Sequence, residues 1–230
     1  MIDWYYQPMD AANNSNKLHQ LLSEAKKQKM PRGRVMQTSE DKIQLNLVKK
    51  GFIKRYLISN DGSLSVQSIF GPGYIFPLTP VFKIILNQTL YSGPEVIYYE
   101  TIVPSEIYSM DIAALQDHIQ KDRGLYKDLL TEAGIRLEDN IQRLENLSLK
   151  SAYKKVAHQL AYFARHFGEE TPAGIMLNLP LTHQDLADIL NVTRETVSIS
   201  MIRLRHKKLI AKGKDIIVPD LKKLEDEAYS

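Results

Sequence analysis

The 230-residue sequence predicts an α+β protein with a β-rich N-terminal part, one long helix and a C-terminal part of shorter helices. Between Ile43 and Met110, apolar residues alternate or cluster in short runs separated by turn residues, as in β-strands. Between Asp122 and Leu149 the apolar period becomes helical, and no proline interrupts it. After Ser151 further helical patterns follow, bounded by helix-capping residues.

Composition narrows the class of protein. Charged residues make up 25% of the chain and hydrophobic residues 43%, the balance of a globular protein. Cysteine is absent, which excludes disulfides, thiolate metal sites and cysteine nucleophiles. No stretch has the length of apolar residues that a membrane span needs, and the N-terminus lacks the pattern of a secretory signal. We therefore expect a cytoplasmic protein that has no membrane partner and requires no cofactor.

The β-rich segment predicts a small barrel or roll. The run IQLNLVKKGFIKRYLIS begins at Ile43 and ends at residues 60–63 (NDGS), which have the composition of a hairpin turn. Residues 71–73 (GPG) mark a second turn, and EVIYYETIV from Glu95 to Val103 reads as a strand that stops before a proline. Many short strands within about 70 residues are typical of a closed β-architecture.

The long helix carries apolar residues at heptad spacing. Packing of this stripe on the chain's own β-rich domain is one interpretation. Asn140 favours pairing between two copies, because a polar residue is costly against an apolar surface but can pair with its symmetry mate and fix the register. We predict a homodimer whose interface contains Tyr126, Leu130, Ala133, Leu137, Asn140, Leu144 and Leu147.

The most specific pattern is LTHQDLADILNVTRETVSISMIRLRHKKLI, at residues 181–210. Thr182 and Asp185 have the spacing of a capping box. Asn191 stands where the chain must turn sharply, and Thr193 is a natural N-cap for a second helix. This order of caps and turn predicts a helix-turn-helix with two buried faces, formed by Leu186, Ala187, Ile189 and Leu190 and by Val197, Met201 and Leu204.

The second helix would turn its other face outward. In a helix-turn-helix the start of this helix enters the major groove, where Arg194 can pair with guanine and Glu195 with cytosine. Residues 209–218 (LIAKGKDIIV) look like a hairpin wing, with Lys212 and Lys214 near its tip suited to phosphates. Residues 194–214 hold seven Lys or Arg against one acid, as a polyanion partner requires. We predict double-stranded DNA as the partner.

Two other functions fit parts of the sequence. A ligand-sensing protein whose C-terminal domain binds another protein is the main alternative, and the basic residues favour DNA over it. Residues 151–154 (SAYK) match the S-x-x-K pattern of serine acyl enzymes, but the companion S-D-N and K-T-G motifs are missing. We therefore expect no enzymatic activity.

Three segments resemble the CRP/FNR family of bacterial transcription regulators: THQDL at residues 182–186, RETV at 194–197 and GKDIIV at 213–218. The resemblance implies a cupin-like β-roll of the cyclic-nucleotide-binding type as sensor domain at 1–121, a dimerisation helix at 122–150 and a winged helix-turn-helix at 151–230. It also implies a homodimer on a near-palindromic operator. The expected DNA-binding residues are Thr182, His183, Gln184, Thr193, Arg194, Glu195, Thr196, Ser198, Ile199, Arg205, Lys212 and Lys214.

The sequence departs from the family pattern in its expected effector site. Cyclic-nucleotide members carry a Gly-Glu pair where this chain has Pro77-Leu78, and no arginine occurs between Phe70 and Lys121 to pair with a phosphate. The absence of cysteine disfavours an FNR-type oxygen sensor, and the β-rich segment has no histidine for haem. We expect an apolar or aromatic effector, or constitutive activity without one. The candidate pocket residues are Tyr74, Phe76, Phe82, Tyr91, Tyr98 and Tyr99.

Two further expectations follow from the resemblance. Ile199 occupies the position of a base-reading arginine in the cyclic-AMP receptor protein, so the operator should differ from a TGTGA-type half-site. An isoleucine can touch a thymine methyl group but donates no hydrogen bond. The predicted loop at residues 168–174 matches the place where relatives contact RNA polymerase, which favours activation of transcription.

Overall fold

The computed structural model describes residues 16–37, 43–62, 64–88, 96–211, 213 and 215–230. Contacts divide the chain into two units, and the boundary between Leu137 and Glu138 falls inside the long helix. The predicted order of parts, β-rich domain, long helix and helix-turn-helix, is confirmed. None of the helices in these ranges is long and apolar enough to span a membrane.

The first unit contains two four-stranded antiparallel sheets and flanking helices. The strands are β1 (Lys26–Met30), β2 (Val35–Gln37), β3 (Gln44–Lys50), β4 (Ile53–Ile58), β5 (Leu64–Phe70), β6 (Ile75–Phe76), β7 (Tyr98–Thr101) and β8 (Ser105–Asp111). Their orders are β1-β8-β3-β6 and β2-β7-β4-β5. The helices are α1 (Lys17–Ser23), α2 (Thr79–Leu86), α3 (Ile112–Lys121) and α4 (Gly124–Ser148), which continues into the second unit.

The predicted hairpin turn joins β4 to β5, although Ser63 lies outside the described residues. The connection from β3 to β4 depends on Gly51, which has φ +88° in a tight turn. A Cβ atom at this position would lie 2.3 Å from Oγ of Ser105, so only glycine fits.

Aromatic rings join the two sheets across the interior of the roll. Phe76 on β6 stacks against Phe70 on β5 and Tyr99 on β7, with ring centroids 5.0 and 4.9 Å apart. Flat stacking of this kind buries large apolar areas while keeping the rings in favourable offset geometry. These buried rings form the core between the two sheets.

A second core lies beneath the helices. Leu18 and Leu22 of α1, Leu115 of α3, and Leu125 and Leu129 of α4 are all buried in one cluster. One face of α4 therefore packs inside the first unit, against α1 and α3.

The β-rich segment also contains the helix α2, which the sequence analysis did not predict. Pro80 lies in the first turn of this helix, where its missing N–H costs nothing. Val81 is buried, and Phe82 and Ile85 pack on the helical core. The helix is short and largely apolar, so its sequence resembles a buried strand.

The second unit continues from α4 into a helical domain with a small sheet. Its elements are α5 (Ala152–Phe167), β9 (Gly168–Thr171), β10 (Gly174–Leu177), α6 (His183–Leu190), α7 (Arg194–His206), β11 (Ile217–Val218) and α8 (Leu221–Tyr229). The sheet has the order β11-β10-β9. Helix α5 forms its centre, with Val156, Leu160 and Phe163 fully or almost fully buried.

Two predicted connections differ in the structure. The loop expected at residues 168–174 is the hairpin of β9 and β10. In the described part of the predicted wing, β11 lies in the second arm and pairs with β10. One backbone bond, from the Ala211 N–H to the Ile217 carbonyl, closes the described part of the wing. Gly174, at φ +118°, allows β10 to pair with β11, because a Cβ atom at this position would lie 2.4 Å from the Val218 carbonyl oxygen.

Candidate nucleic-acid interface

Helix α6 begins at the predicted capping box. The Thr182 hydroxyl accepts from the Asp185 N–H at 3.1 Å, and the Asp185 carboxylate accepts from the Thr182 N–H at 2.8 Å. The helix ends at Asn191, which has the left-handed conformation φ 53°, ψ 50°. Both ends of the helix are thus fixed by the residues that the sequence predicted.

Helix α7 begins at Thr193, whose hydroxyl accepts from the Thr196 N–H at 3.2 Å. Val197, Met201 and Leu204 are fully buried and anchor the helix to its domain. The opposite face is consequently directed to solvent.

Most of the predicted DNA-binding residues lie on exposed positions at the starts of these two helices. Arg194, Glu195 and Ile199 are exposed on α7, and Thr182 and Gln184 are exposed at the start of α6. A hydrogen bond of 2.8 Å between His183 of α6 and Ser198 of α7 brings the two groups together. Thr193 is also exposed, Thr196 and Arg205 are half-buried, and Lys212 and Lys214 lie outside the described residues.

His183 and Ser198 have a positioning role that their sequence pattern did not reveal. The Ser198 hydroxyl donates to the Arg194 carbonyl at 3.0 Å, so it accepts from the Nδ1–H of His183. Burial, and after it the charges of Arg205 and Arg194, lower the pKa of His183 below its ordinary value. The neutral imidazole therefore locks the start of α6 to the first turns of α7.

Two of the seven basic residues at 194–214, Arg203 and Lys207, make contacts inside the domain. The Arg203 guanidinium lies 4.0 Å from the ring centroid of Tyr153 on α5, and Lys207 pairs with Glu227 on α8 at 2.5 Å. Burial is the largest of the causes that raise the pKa of Tyr153 to about 12. The hydrogen bond from Lys207 lowers the pKa of Glu227. These contacts fix the C-terminal half of α7.

The predicted dimer seam is exposed on α4. The exposed fractions of Leu130, Leu137 and Leu144 are 72%, 62% and 65%. The interpretation that this stripe packs on the chain's own β-rich domain is therefore wrong. Tyr126, Asn140 and Leu147 are also exposed, and Ala133 is half-buried.

The buried face of α4 holds a polar contact with α1. Glu132 is completely buried, and its Oε1 lies 3.1 Å from Nε2 of His19. Arg136 lies 3.9 Å from the same carboxylate and 4.0 Å from the ring centroid of Tyr74. No local spacing indicates this pair, because the two partners are 113 positions apart.

The first unit contains a half-open cavity of about 610 Å³ that is lined by residues of β1, β2, β3, β6, β7 and β8 and of the segments next to them. Of the predicted pocket residues, Phe76 and Tyr99 line it. Tyr74 instead packs on Arg136, Phe82 packs on the helical core, and Tyr98 stacks on Tyr56 at 5.4 Å. Tyr91 lies outside the described residues.

Two cationic residues that the sequence reasoning missed, Lys29 and Arg34, also line the cavity. Lys29 lies on β1, and Arg34 immediately precedes β2. Both residues precede the stretch between Phe70 and Lys121 in which the sequence has no arginine to pair with a phosphate.

Comparison with known proteins agrees with this architecture. A sequence profile of the Crp-like helix-turn-helix domain matches residues 154–227. The CRP-like cAMP-activated global transcriptional regulator of Mycobacterium tuberculosis is 26% identical over 200 residues, which cover 86% of each chain.

Solved structures show the same fold. A CooA mutant from Carboxydothermus hydrogenoformans matches with a TM-score of 0.71 at 21% identity and 97% coverage of each chain. FixK2 from Bradyrhizobium japonicum matches with a TM-score of 0.71 at 20% identity, over 88% of this chain and 96% of its own. The profile, the relative and the shared fold lead to one conclusion: the chain contains a Crp-like helix-turn-helix domain and is similar to transcription regulators of the CRP/FNR type over most of its length.

Proposed function

We propose that the protein acts as a homodimer that reads a near-palindromic operator through α7. The observation that carries this proposal is the exposed start of α7, where Arg194 and Glu195 follow the Thr193 cap while the opposite face of the helix is fully buried. A helix held in this way can enter the major groove without losing its support.

The polar groups around α7 favour two separate roles on DNA, contact with bases and contact with phosphates. Arg194 can donate two hydrogen bonds to guanine, and Glu195 can accept from the amino group of cytosine. Thr182, Gln184 and Thr193 are exposed at helix starts, where hydroxyl and amide groups suit phosphate oxygens.

Homodimerisation is supported by the exposed leucines of α4. Leu130, Leu137 and Leu144 follow one another at seven-residue intervals and would each form a knob in a two-helix coiled coil. The exposed Asn140 lies in the same seam and can bond to its symmetry mate. Two copies of α7 related by a two-fold axis would then read two inverted half-sites.

The cavity supports a small aromatic effector other than a cyclic nucleotide. Phe76 and Tyr99 provide an aromatic wall, and Lys29 and Arg34 add the capacity to hold one acidic group. Pro77, which also lines the cavity, belongs to the Pro77-Leu78 pair that replaces the family's Gly-Glu. Calorimetry with cyclic AMP should show no saturable heat, and native mass spectrometry of the purified protein should reveal a retained ligand. A protein that is free of ligand and binds DNA fully would indicate constitutive activity.

The β9–β10 hairpin is the surface proposed to touch RNA polymerase. Glu169 and Glu170 are exposed on it. Glu170→Lys should reduce activated transcription while leaving the affinity for the operator unchanged.

The test of DNA reading is selection from a random double-stranded library with the full-length protein, followed by binding measurements at several salt concentrations. We expect enrichment of an inverted repeat and an affinity that falls steeply with salt. Arg194→Ala should lose about 1–3 kcal/mol and relax the preference at one symmetric base position. If no sequence is enriched, or if Arg194→Ala weakens all sequences equally, the groove-reading role is wrong.

A further inference from the structure

Two isoleucines stand exposed on the recognition helix α7. The exposed fractions of Ile199 and Ile202 are 67% and 53%, whereas the other large apolar residues of this helix are fully buried. Exposing two β-branched apolar side chains on one helix has a solvation cost that contact with a partner would remove.

The two isoleucines lie on the ridge farthest from the domain core. Successive side chains of an α-helix are about 100° apart, so the direction opposite the buried Val197, Met201 and Leu204 is fixed by geometry. The four residues along that direction are Glu195, Ile199, Ile202 and His206. The isoleucines therefore form the central part of the surface whose first residue is the proposed base reader Glu195.

We propose that Ile199 and Ile202 read the methyl groups of two thymines on neighbouring base pairs of each half-site. This inference rests on the proposed function of α7. Residues three positions apart in a helix are separated by about 4.5 Å along its axis, and base pairs are stacked about 3.4 Å apart. Two side chains on one face of a helix, less than one turn apart, can thus reach neighbouring base pairs in the groove.

The chemistry of the groove selects thymine. The C5 methyl of thymine is the apolar group that base pairs present in the major groove, and the remaining base edges there present hydrogen-bonding atoms. Isoleucine cannot satisfy those atoms, so a guanine, adenine or cytosine edge opposite it would lose its hydrogen bonds with water without compensation. Thymine is therefore the base that an isoleucine ridge accepts best.

The surroundings of the pair favour DNA over a protein partner. Arg194 lies at the start of the same helix and Arg205 lies near its end, so cationic groups suited to a polyanion frame the isoleucines. A stable protein interface normally involves 20–30 residues on each side, with an apolar centre. Two isoleucines framed in this way are too small a centre for such an interface.

The test replaces individual thymines of the selected operator with deoxyuridine, which removes the methyl group and leaves all base-pairing and groove hydrogen bonds unchanged. For the wild-type protein we expect two neighbouring thymines per half-site whose replacement lowers affinity about fourfold each, the equivalent of about 0.8 kcal/mol for one buried methyl group. Replacement of one of these thymines in both half-sites should lower the affinity about 16-fold.

Two variants assign each methyl group to its side chain. Ile199→Ala should remove the sensitivity to uracil at one of the two positions, and Ile202→Ala at the other. Ile58→Ala is the matched control, because Ile58 is 51% exposed but lies on β4, far from α7 in sequence. The control should keep the wild-type response to uracil.

The outcomes separate this inference from the proposed function. If the protein binds a selected operator but no uracil substitution changes its affinity, the inference is wrong while DNA reading stands. Persistent uracil sensitivity in both alanine variants would also overturn it, as would a loss of activated transcription by these variants at unchanged operator affinity, which indicates a protein partner. If selection yields no operator, the proposed function itself fails.

Discussion

Nδ1 of His183 lies 2.8 Å from Oγ of Ser198, and this hydrogen bond ties the first turn of α6 to the recognition helix α7. The same hydroxyl donates to the Arg194 carbonyl. His183 and Ser198, which both belong to the expected DNA-binding set, therefore help to hold α7 in position.

Ser198→Ala should therefore weaken the domain itself. The substitution removes the acceptor of the His183 N–H, and we expect a loss of about 1 kcal/mol in the free energy of unfolding. Urea denaturation of the wild type, Ser198→Ala and Ser198→Thr measures it, with threonine retaining the hydroxyl as the control. Equal stability of the alanine variant and the wild type would show that the hydrogen bond is not stabilising.

The pH dependence of stability should include a contribution from His158. This imidazole is buried, accepts from Asn146 at 3.1 Å and contacts the Tyr229 hydroxyl at 3.0 Å. Burial, followed by the charge of Arg165, lowers its pKa in the folded chain, although Glu145 acts in the opposite direction. As the pH falls, the unfolded chain binds this proton first, so the stabilising contribution is present above about pH 6.5 and is lost below it.

Comparison with His158→Gln isolates that contribution. The difference in free energy of unfolding between the wild type and this variant should shrink as the pH falls from about 7.5 to about 5.5. All other titrating groups are common to the two proteins and cancel. A difference that stays constant over this range would contradict a lowered pKa of His158.

The dimer seam predicts a simple change of oligomeric state. Leu137→Glu places two charges opposite each other in the proposed coiled coil, and we expect monomers in sedimentation experiments at micromolar concentration. Thr131→Glu adds the same charge to an exposed position of α4 outside the seam and should leave the dimer intact. A Leu137→Glu protein that still sediments as a dimer would place the interface elsewhere.

His19 and Glu132 form a buried pair, so the effects of substituting them on the free energy of unfolding should depend strongly on each other. His19→Leu leaves the buried carboxylate without its imidazole partner, and we expect a loss of about 3 kcal/mol in stability. The double variant His19→Leu with Glu132→Met removes both polar groups and should recover part of this loss. Additive effects of the two single changes in a thermodynamic cycle would argue against the pairing.

The turn of the helix-turn-helix should tolerate glycine better than alanine. Asn191 has φ 53°, a conformation that costs an alanine about 1–2 kcal/mol and glycine almost nothing. Thermal unfolding of Asn191→Ala and Asn191→Gly compares the two effects directly. If both variants unfold at the same temperature, the left-handed turn does not limit stability.

The features predicted correctly from sequence are those that depend on near neighbours. The caps at Thr182 and Thr193 and the turn at Asn191 are each defined by residues within a few positions. The short helix α2 was missed because eight mostly apolar residues lack the length that separates a helical period from a buried strand. The β9–β10 hairpin was missed because its Pro172 and glycines read equally well as a loop.

The tertiary structure decided which groups meet across long separations. It joined His183 to Ser198, placed Arg203 over Tyr153, buried Glu132 against His19 and gathered Lys29 and Arg34 around the cavity. These contacts arise when elements pack, so they depend on the whole set of buried faces, and no local spacing encodes them. The sequence alone therefore determined the helix-turn-helix and its outward residues, whereas packing of the folded chain determined which of those residues remain exposed to reach a partner and which support the others.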